Sequence, residues 1–398
     1  MKPKVILPVS IITLLCLTSC KATITAKKAN NEQQTLITST PQVSEQANVD
    51  FDQRKSEKFT NTAKFIAGMQ LNNNSPLARV QKSNNWLKQQ QYFENTWPKL
   101  EEQQLKKVRQ WSQQELKRIN NISPTVFYPF SGPDFLYAYS FFPKGKEYFL
   151  IGLEPVGKIL DLTTASESEQ NQRLQKVRSS LYAILQFSFF RTNDMKVDLQ
   201  KQGVLPILYV FLARTQNRIL DVQNIGIDKD GKIQKLDKGM ISGVKIVFVP
   251  KGESQPRTLY YLSADLSDDG LKKRPELNKF ISRIDKNITY LKAASYLMYN
   301  DSFSKIRRSI LTGSKKILQD DSGIHLKAFD NSKWNLKFYG SYTSPISLFS
   351  GSYQEELRRV YSTRKNIKPL NFGIGYKFAA NDSNLMLAEH KNLPASNP

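Results

Sequence analysis

The chain has 398 residues, 39% of them hydrophobic and 23% charged, with a formal net charge of +23. That length allows one large or two ordinary domains, and the composition allows a buried core. Only two cysteines and two histidines are present, which speaks against His-rich metal sites and most imidazole chemistry. No metal or cofactor is expected, and any catalysis would rest on carboxylates, Ser, Lys or Tyr.

The first residues, Met-Lys-Pro-Lys, are positive and carry no acid. Val5 to Leu17 is then mostly apolar, with the length of a signal-peptide core and too short to span a bilayer. Leu17-Thr-Ser-Cys20 follows and resembles the lipobox of bacterial lipoproteins, in which the cysteine takes the lipid. The resemblance implies a leader over 1–19, cleavage before Cys20, and membrane anchoring by acyl chains on its sulfur. Cys16 would leave with the leader. No internal disulfide, thiolate nucleophile or Cys-based metal site could then form. Lys21 after the cysteine favours the outer membrane, facing the periplasm. Loss of Lys2 and Lys4 lowers the charge by two, to +21, which favours anionic lipid headgroups or envelope glycans as partners. Nucleic acid, the common partner of so basic a chain, is not expected of an exported protein.

Residues 20–56 are polar and aperiodic, so a flexible tether is expected. Residues 57–122 read as helical. A first apolar cluster runs from Ala63 to Met69, Ser75-Pro76 offers a new helix start, and Glu94 to Ile119 suggests one long charged helix. Exposed tryptophans there could stack on sugars. From Ser123 onward, 123–398 reads as one α+β domain. Tyr137–Phe142 and Glu147–Leu153 suggest strands, Leu174–Ile184 a helix, and Leu205–Ala213 a central strand. Ile219–Ile227, Val244–Val249 and Thr258–Leu262 suggest hairpins, with a turn at Asp228–Gly231. Phe280–Met298 and Phe303–Ile317 keep helical spacing, and Leu370–Phe378 alternates like a strand. The expected fold is α+β: a largely antiparallel sheet with packed helices, preceded by the N-terminal helical segment.

Four constellations could carry chemistry. Phe127–Phe135 sets Ser131 and Asp134 in a compact turn between aromatic runs, suited to a polar ligand or to capping the next element. Arg191, Asn193 and Asp194 fall together at an element end and could meet that turn as binding or catalytic groups. Asp265 to Glu276 has the spacing of a Ca²⁺ loop. Its strand-first context and the adjacent Lys272-Lys-Arg274 favour a helix start capped by Ser267 or Asp268. Asp320, Asp321, Ser322 and His325 bring carboxylate, hydroxyl and imidazole onto one stretch, as a helix end or a hydrolytic site. No phosphate loop, dinucleotide fingerprint or nucleophile elbow is present.

Tyr128–Leu136, Ile151–Gly157, Tyr290–Met298 and Leu318–Ile324 resemble a family of uncharacterised bacterial envelope lipoproteins, over roughly residues 60 to 390. The resemblance implies an exported bacterial protein and carries over no catalytic residue. Together these features point to a lipid-anchored envelope protein that binds anionic material, with a periplasmic hydrolase using Ser/Asp residues as the alternative.

Overall fold

The structure, a computed structural model, describes residues 51–187 and 203–391. Cys20, most of the expected tether, and Arg191, Asn193 and Asp194 lie outside the described residues.

The first helix, α1 (Gln53–Ile66), starts inside the segment expected to be tether. Asp52 causes this: its carboxylate accepts from the Arg54 and Lys55 amides, and such a cap stabilises a helix by about 1 kcal/mol. Helices α2 (Asn84–Leu100), α3 (Lys106–Glu115) and α4 (Lys117–Asn120) complete the N-terminal helical segment. A wider π turn, Glu101–Leu105, joins α2 to α3, so the expected long helix is interrupted just after Pro98. Ser75 does not start a helix at Pro76; the next turn begins at Ala78.

The body is α+β. Among the described residues ten strands form one mixed sheet: β1 (Thr125–Tyr128), β2 (Glu147–Gly152), β3 (Asn217–Ile227), β4 (Ile233–Lys235), β5 (Ile241–Pro250), β6 (Arg257–Ser263), β7 (Ile288–Leu291), β8 (Lys316–Gln319), β9 (Trp334–Gly340) and β10 (Asn384–His390). Their order is β4-β3-β5-β6-β2-β1-β7-β8-β10-β9. The two flanks are antiparallel, and five central strands, β6-β2-β1-β7-β8, run parallel. Antiparallel pairs outnumber parallel ones, but the parallel set occupies the middle.

Helices cover both faces. Val126, Tyr128, Ile288 and Tyr290 point to a first core shared with α1 to α4, α5 (Phe135–Phe141), α6 (Glu167–Phe187) and α7 (Leu205–Arg214). Phe127 and Leu291, the alternate positions, point to a second core with α8 (Asp268–Lys273), α9 (Pro275–Arg283), α10 (Ser304–Gly313) and α11 (Glu355–Thr363). The helix after β1, α5 (Phe135–Phe141), lies on the first face. Among the described residues no helix is long and apolar enough to cross a membrane.

Five expected elements differ. Leu205–Ala213 is the helix α7 and not a strand; it is buried on every side, so it shows no amphipathic period, and Pro206 fits its first turn. Tyr137–Phe142 belongs to α5, because Asp134 caps it through the Tyr137 amide at 3.2 Å. Phe280–Met298 and Phe303–Ile317 each begin as a helix, then give way to the parallel strands β7 and β8. Leu370–Phe378 forms no strand; Leu370, Phe372 and Ile374 dock on the first core from a looped backbone that makes one bridge, Ile374 to Lys377.

Candidate functional site

The loops that follow parallel strands lie at one edge of the sheet, and here that edge collects four buried charged residues. Asp134 follows β1, Lys292 follows β7, and Asp320 and Asp321 follow β8. All four are between 2% and 5% exposed. Asp134 and Lys292 form an ion pair. The other Asp134 partners are the Tyr128 hydroxyl at 3.0 Å and the Tyr137 amide. The Lys292 ammonium also lies 3.9 Å from the centre of the Tyr137 ring. Burial raises the Asp134 carboxyl above its ordinary value against the pull of Lys292, and burial lowers Lys292 against the pull of Asp134. Both shifts lean toward a neutral pair.

Asp320 takes the Ser322 amide at 3.0 Å, the Ser322 hydroxyl, and the Ala293 amide at 3.2 Å. Burial first, and the neighbouring Asp321 second, push its carboxyl up to about 7. Asp321 accepts from the Tyr296 hydroxyl and, at 3.0 Å, from Asn384, with the Lys377 ammonium 3.7 Å away. Lys377 itself donates to the Ser344 carbonyl at 2.6 Å. The backbone of Gly375, at φ +59°, runs against this cluster so closely that a Cβ there would overlap the Asp320 carboxylate.

The structure therefore brings the Asp134 turn and the Asp320–Asp321 turn to one place, through Lys292. Among the described residues it does not assemble a Ser–His–Asp site. Ser131 is buried and its hydroxyl donates to the Ile151 carbonyl at 3.2 Å. His325 sits half-buried with its ring 3.9 Å from that of Tyr299, and burial lowers its pKa. Among the described residues it makes no hydrogen bond to Ser322 or either aspartate. The Asp320–His325 stretch follows the strand β8 and so is not a helix end. Every carboxylate oxygen of Asp134, Asp320 and Asp321 already has a protein donor, so these groups brace the loops together. Lys292 and Lys377, their partners, stand in the sequence as ordinary lysines; Lys292 follows β7, and Lys377 lies in a looped segment outside the strands.

Asp265–Glu276 starts α8 as a capped turn, with the Ser267 hydroxyl accepting from the Gly270 amide at 3.0 Å. Among the described residues no group of carboxylates, His or Cys could hold a metal ion. Trp86, Trp97, Trp111 and Trp334 are all buried, which removes the sugar-stacking reading.

A second feature runs along α1. Two clefts of about 830 and about 1110 Å³ share Thr60, Lys64 and Arg218. Arg54 joins them at one end and Lys251 at the other. Among the described residues, none of Arg54, Lys64, Arg218 and Lys251 has an ion-pair partner, whereas Lys58 is paired with Asp161 at 2.6 Å. The groove lies against α1, the first helix among the described residues.

In comparisons with family models, with curated proteins and with solved structures, nothing matches this chain.

Proposed function

We propose that this chain is a lipid-anchored protein of the bacterial envelope, held by acyl chains on Cys20 at the outer membrane and facing the periplasm. Its body binds anionic envelope material, lipid headgroups or acidic glycans, in the groove along α1. The observation that carries this reading is the set of cations without an ion-pair partner among the described residues, Arg54, Lys64, Arg218 and Lys251, lining joined clefts beside α1. Unpaired cations in a cleft attract anions, because low-dielectric walls focus their field. The net charge of +21 that remains without Lys2 and Lys4 adds long-range attraction of the same sign.

The hydrolase alternative loses its Ser and His arms, since Ser131 and His325 approach no common carboxylate. The binding reading is tested on the mature chain, 20–398, made without its leader and with C20S so that it carries no lipid. It should sediment with anionic vesicles and not with zwitterionic ones, and release as the Debye length falls from about 10 Å at 0.1 M salt to about 3 Å at 1 M. Equal binding to both vesicle types at low salt would sink the proposal.

A further inference from the structure

β1 and β7 lie side by side and parallel, yet their chains leave the sheet toward opposite faces. β1 continues into α5 on the first face, and β7 continues toward α10 on the second. In open parallel sheets, ligands bind in the crevice outside the carboxyl ends of two such strands, because the diverging loops leave a gap there. This sheet has a crevice at that point, of about 100 Å³. Phe130 and Gly132 wall it after β1, and Ala294 and Leu297 wall it after β7. Gly152 forms part of its floor, where a Cβ would come within 2.8 Å of the Gly132 Cα.

Both walls are held in backbone conformations that side-chain-bearing residues seldom adopt. Phe130 has φ +59° and Ala293, next to the wall residue Ala294, has φ +56°. Such strain persists only where the surroundings impose it, and it gathers at functional sites. The Asp134–Lys292 ion pair, formed by residues that follow the same two strands, ties the diverging loops together.

The lining has the opposite electrical character to the rest of the molecule. It carries two carboxylates, Glu154 and Asp265, and, among the described residues, no Lys or Arg, in a chain with 58 basic and 35 acidic side chains. Asp265 is exposed and has no ion pair among the described residues. Leu153 and Leu297 stand 60% and 45% exposed around it. We propose that this crevice binds an apolar group of side-chain size bearing a protonated amine. The volume is well below the roughly 300–1,000 Å³ of a pocket for a whole cofactor. The apolar part fits between Phe130 and Leu297, and the ammonium meets the Asp265 carboxylate. This site is independent of the anion groove.

Such an amine can belong to a free small molecule or to a lysine-flanked apolar residue of a peptide. Saturation-transfer NMR on the mature C20S chain would compare isoamylammonium, isoamyl alcohol, isovalerate and the peptide acetyl-Lys-Leu-Lys-amide. The ammonium is expected to bind about threefold or more tighter than the alcohol, as for an exposed ion pair, and isovalerate weakest. D265N should remove that preference and leave alcohol binding unchanged, while A294L, which fills the crevice, should abolish binding of every probe. If A294L fails to fold, L297A on the exposed rim should weaken every probe. Tighter binding of the peptide than of the free amine assigns a peptide partner, and the reverse assigns a small molecule. Isovalerate binding as well as the ammonium, indifference to D265N or to the crevice variants, or no probe binding at millimolar concentration would overturn the proposal.

Discussion

Replacing Lys292 with Met tests whether the buried ion pair holds the carboxyl edge together. Lys292 is 3% exposed, and its loss leaves the Asp134 carboxylate with only the Tyr128 hydroxyl and the Tyr137 amide. Removing one member of a buried pair costs about 3–5 kcal/mol, because the other charge stays desolvated. Against a total stability of about 5–15 kcal/mol, K292M should be folded but strongly destabilised at pH 7.5. The deficit should depend on pH. Burial already raises Asp134, and without Lys292 its folded-state pKa climbs further above the unfolded value. Between those two values the folded chain binds more protons than the unfolded one, so stability falls as pH rises. The K292M deficit should thus be largest above neutrality and shrink as pH approaches 4. Urea unfolding at pH 5, 6, 7 and 8 measures it. The double variant K292M/D134N should recover part of the loss, since neither charge is then left alone. A K292M cost below about 1 kcal/mol at pH 7.5, or a double variant no better than the singles, would refute the reasoning.

Asp320, raised to about 7, gives the protein a second pH dependence. Its folded-state pKa lies above the unfolded one, so stability should fall between about pH 4 and 7, with a slope of at most about 1.4 kcal/mol per pH unit; D320N should flatten the slope, and an unchanged profile in urea unfolding would count against a shifted Asp320. Gly375→Ala places a Cβ at φ +59° and into the Asp320 carboxylate, so it should destabilise by about 2 kcal/mol or more; a thermal midpoint equal to that of the parent chain would show the approach to be looser than described.

The periodic parts of this fold were legible from sequence, and the central ones were not. The β3, β5 and β6 ladder could be read because its strands alternate and are joined by turn residues such as Asp228-Lys-Asp-Gly231. β7 and β8 could not. Each is a four-residue strand buried on both faces and preceded by a short helix, so the apolar positions of the two elements merge into one apparent helical period. α7 failed for the converse reason, since a helix buried all round has no polar face. The site followed the same division. Asp134 and Asp320 stood out as acids in unusual turns, but their meeting depends on β1 and β7 being parallel neighbours. Lys292 therefore carried no sequence signal beyond its place just after an apolar run. The crevice beside it depends on the direction in which two loops leave the sheet, which no local pattern encodes. The groove along α1 was foreshadowed only as net charge, because its cations come from positions as distant as Arg54 and Lys251.

The proposed role of that groove is tested most directly by matched charge reversal on the mature C20S chain. One variant reverses Lys64 and Arg218 in the groove; the other reverses Arg364 and Lys365, exposed on a different cleft beside β9. Both change the net charge by the same amount. At about 1 kcal/mol for each cation near an anionic surface, and twice that for each reversal, the groove variant should lose on the order of a thousandfold in affinity for anionic vesicles at 0.1 M salt. The other variant should lose far less. Equal losses in the two would mean that net charge alone drives binding, and would contradict a groove built for anions.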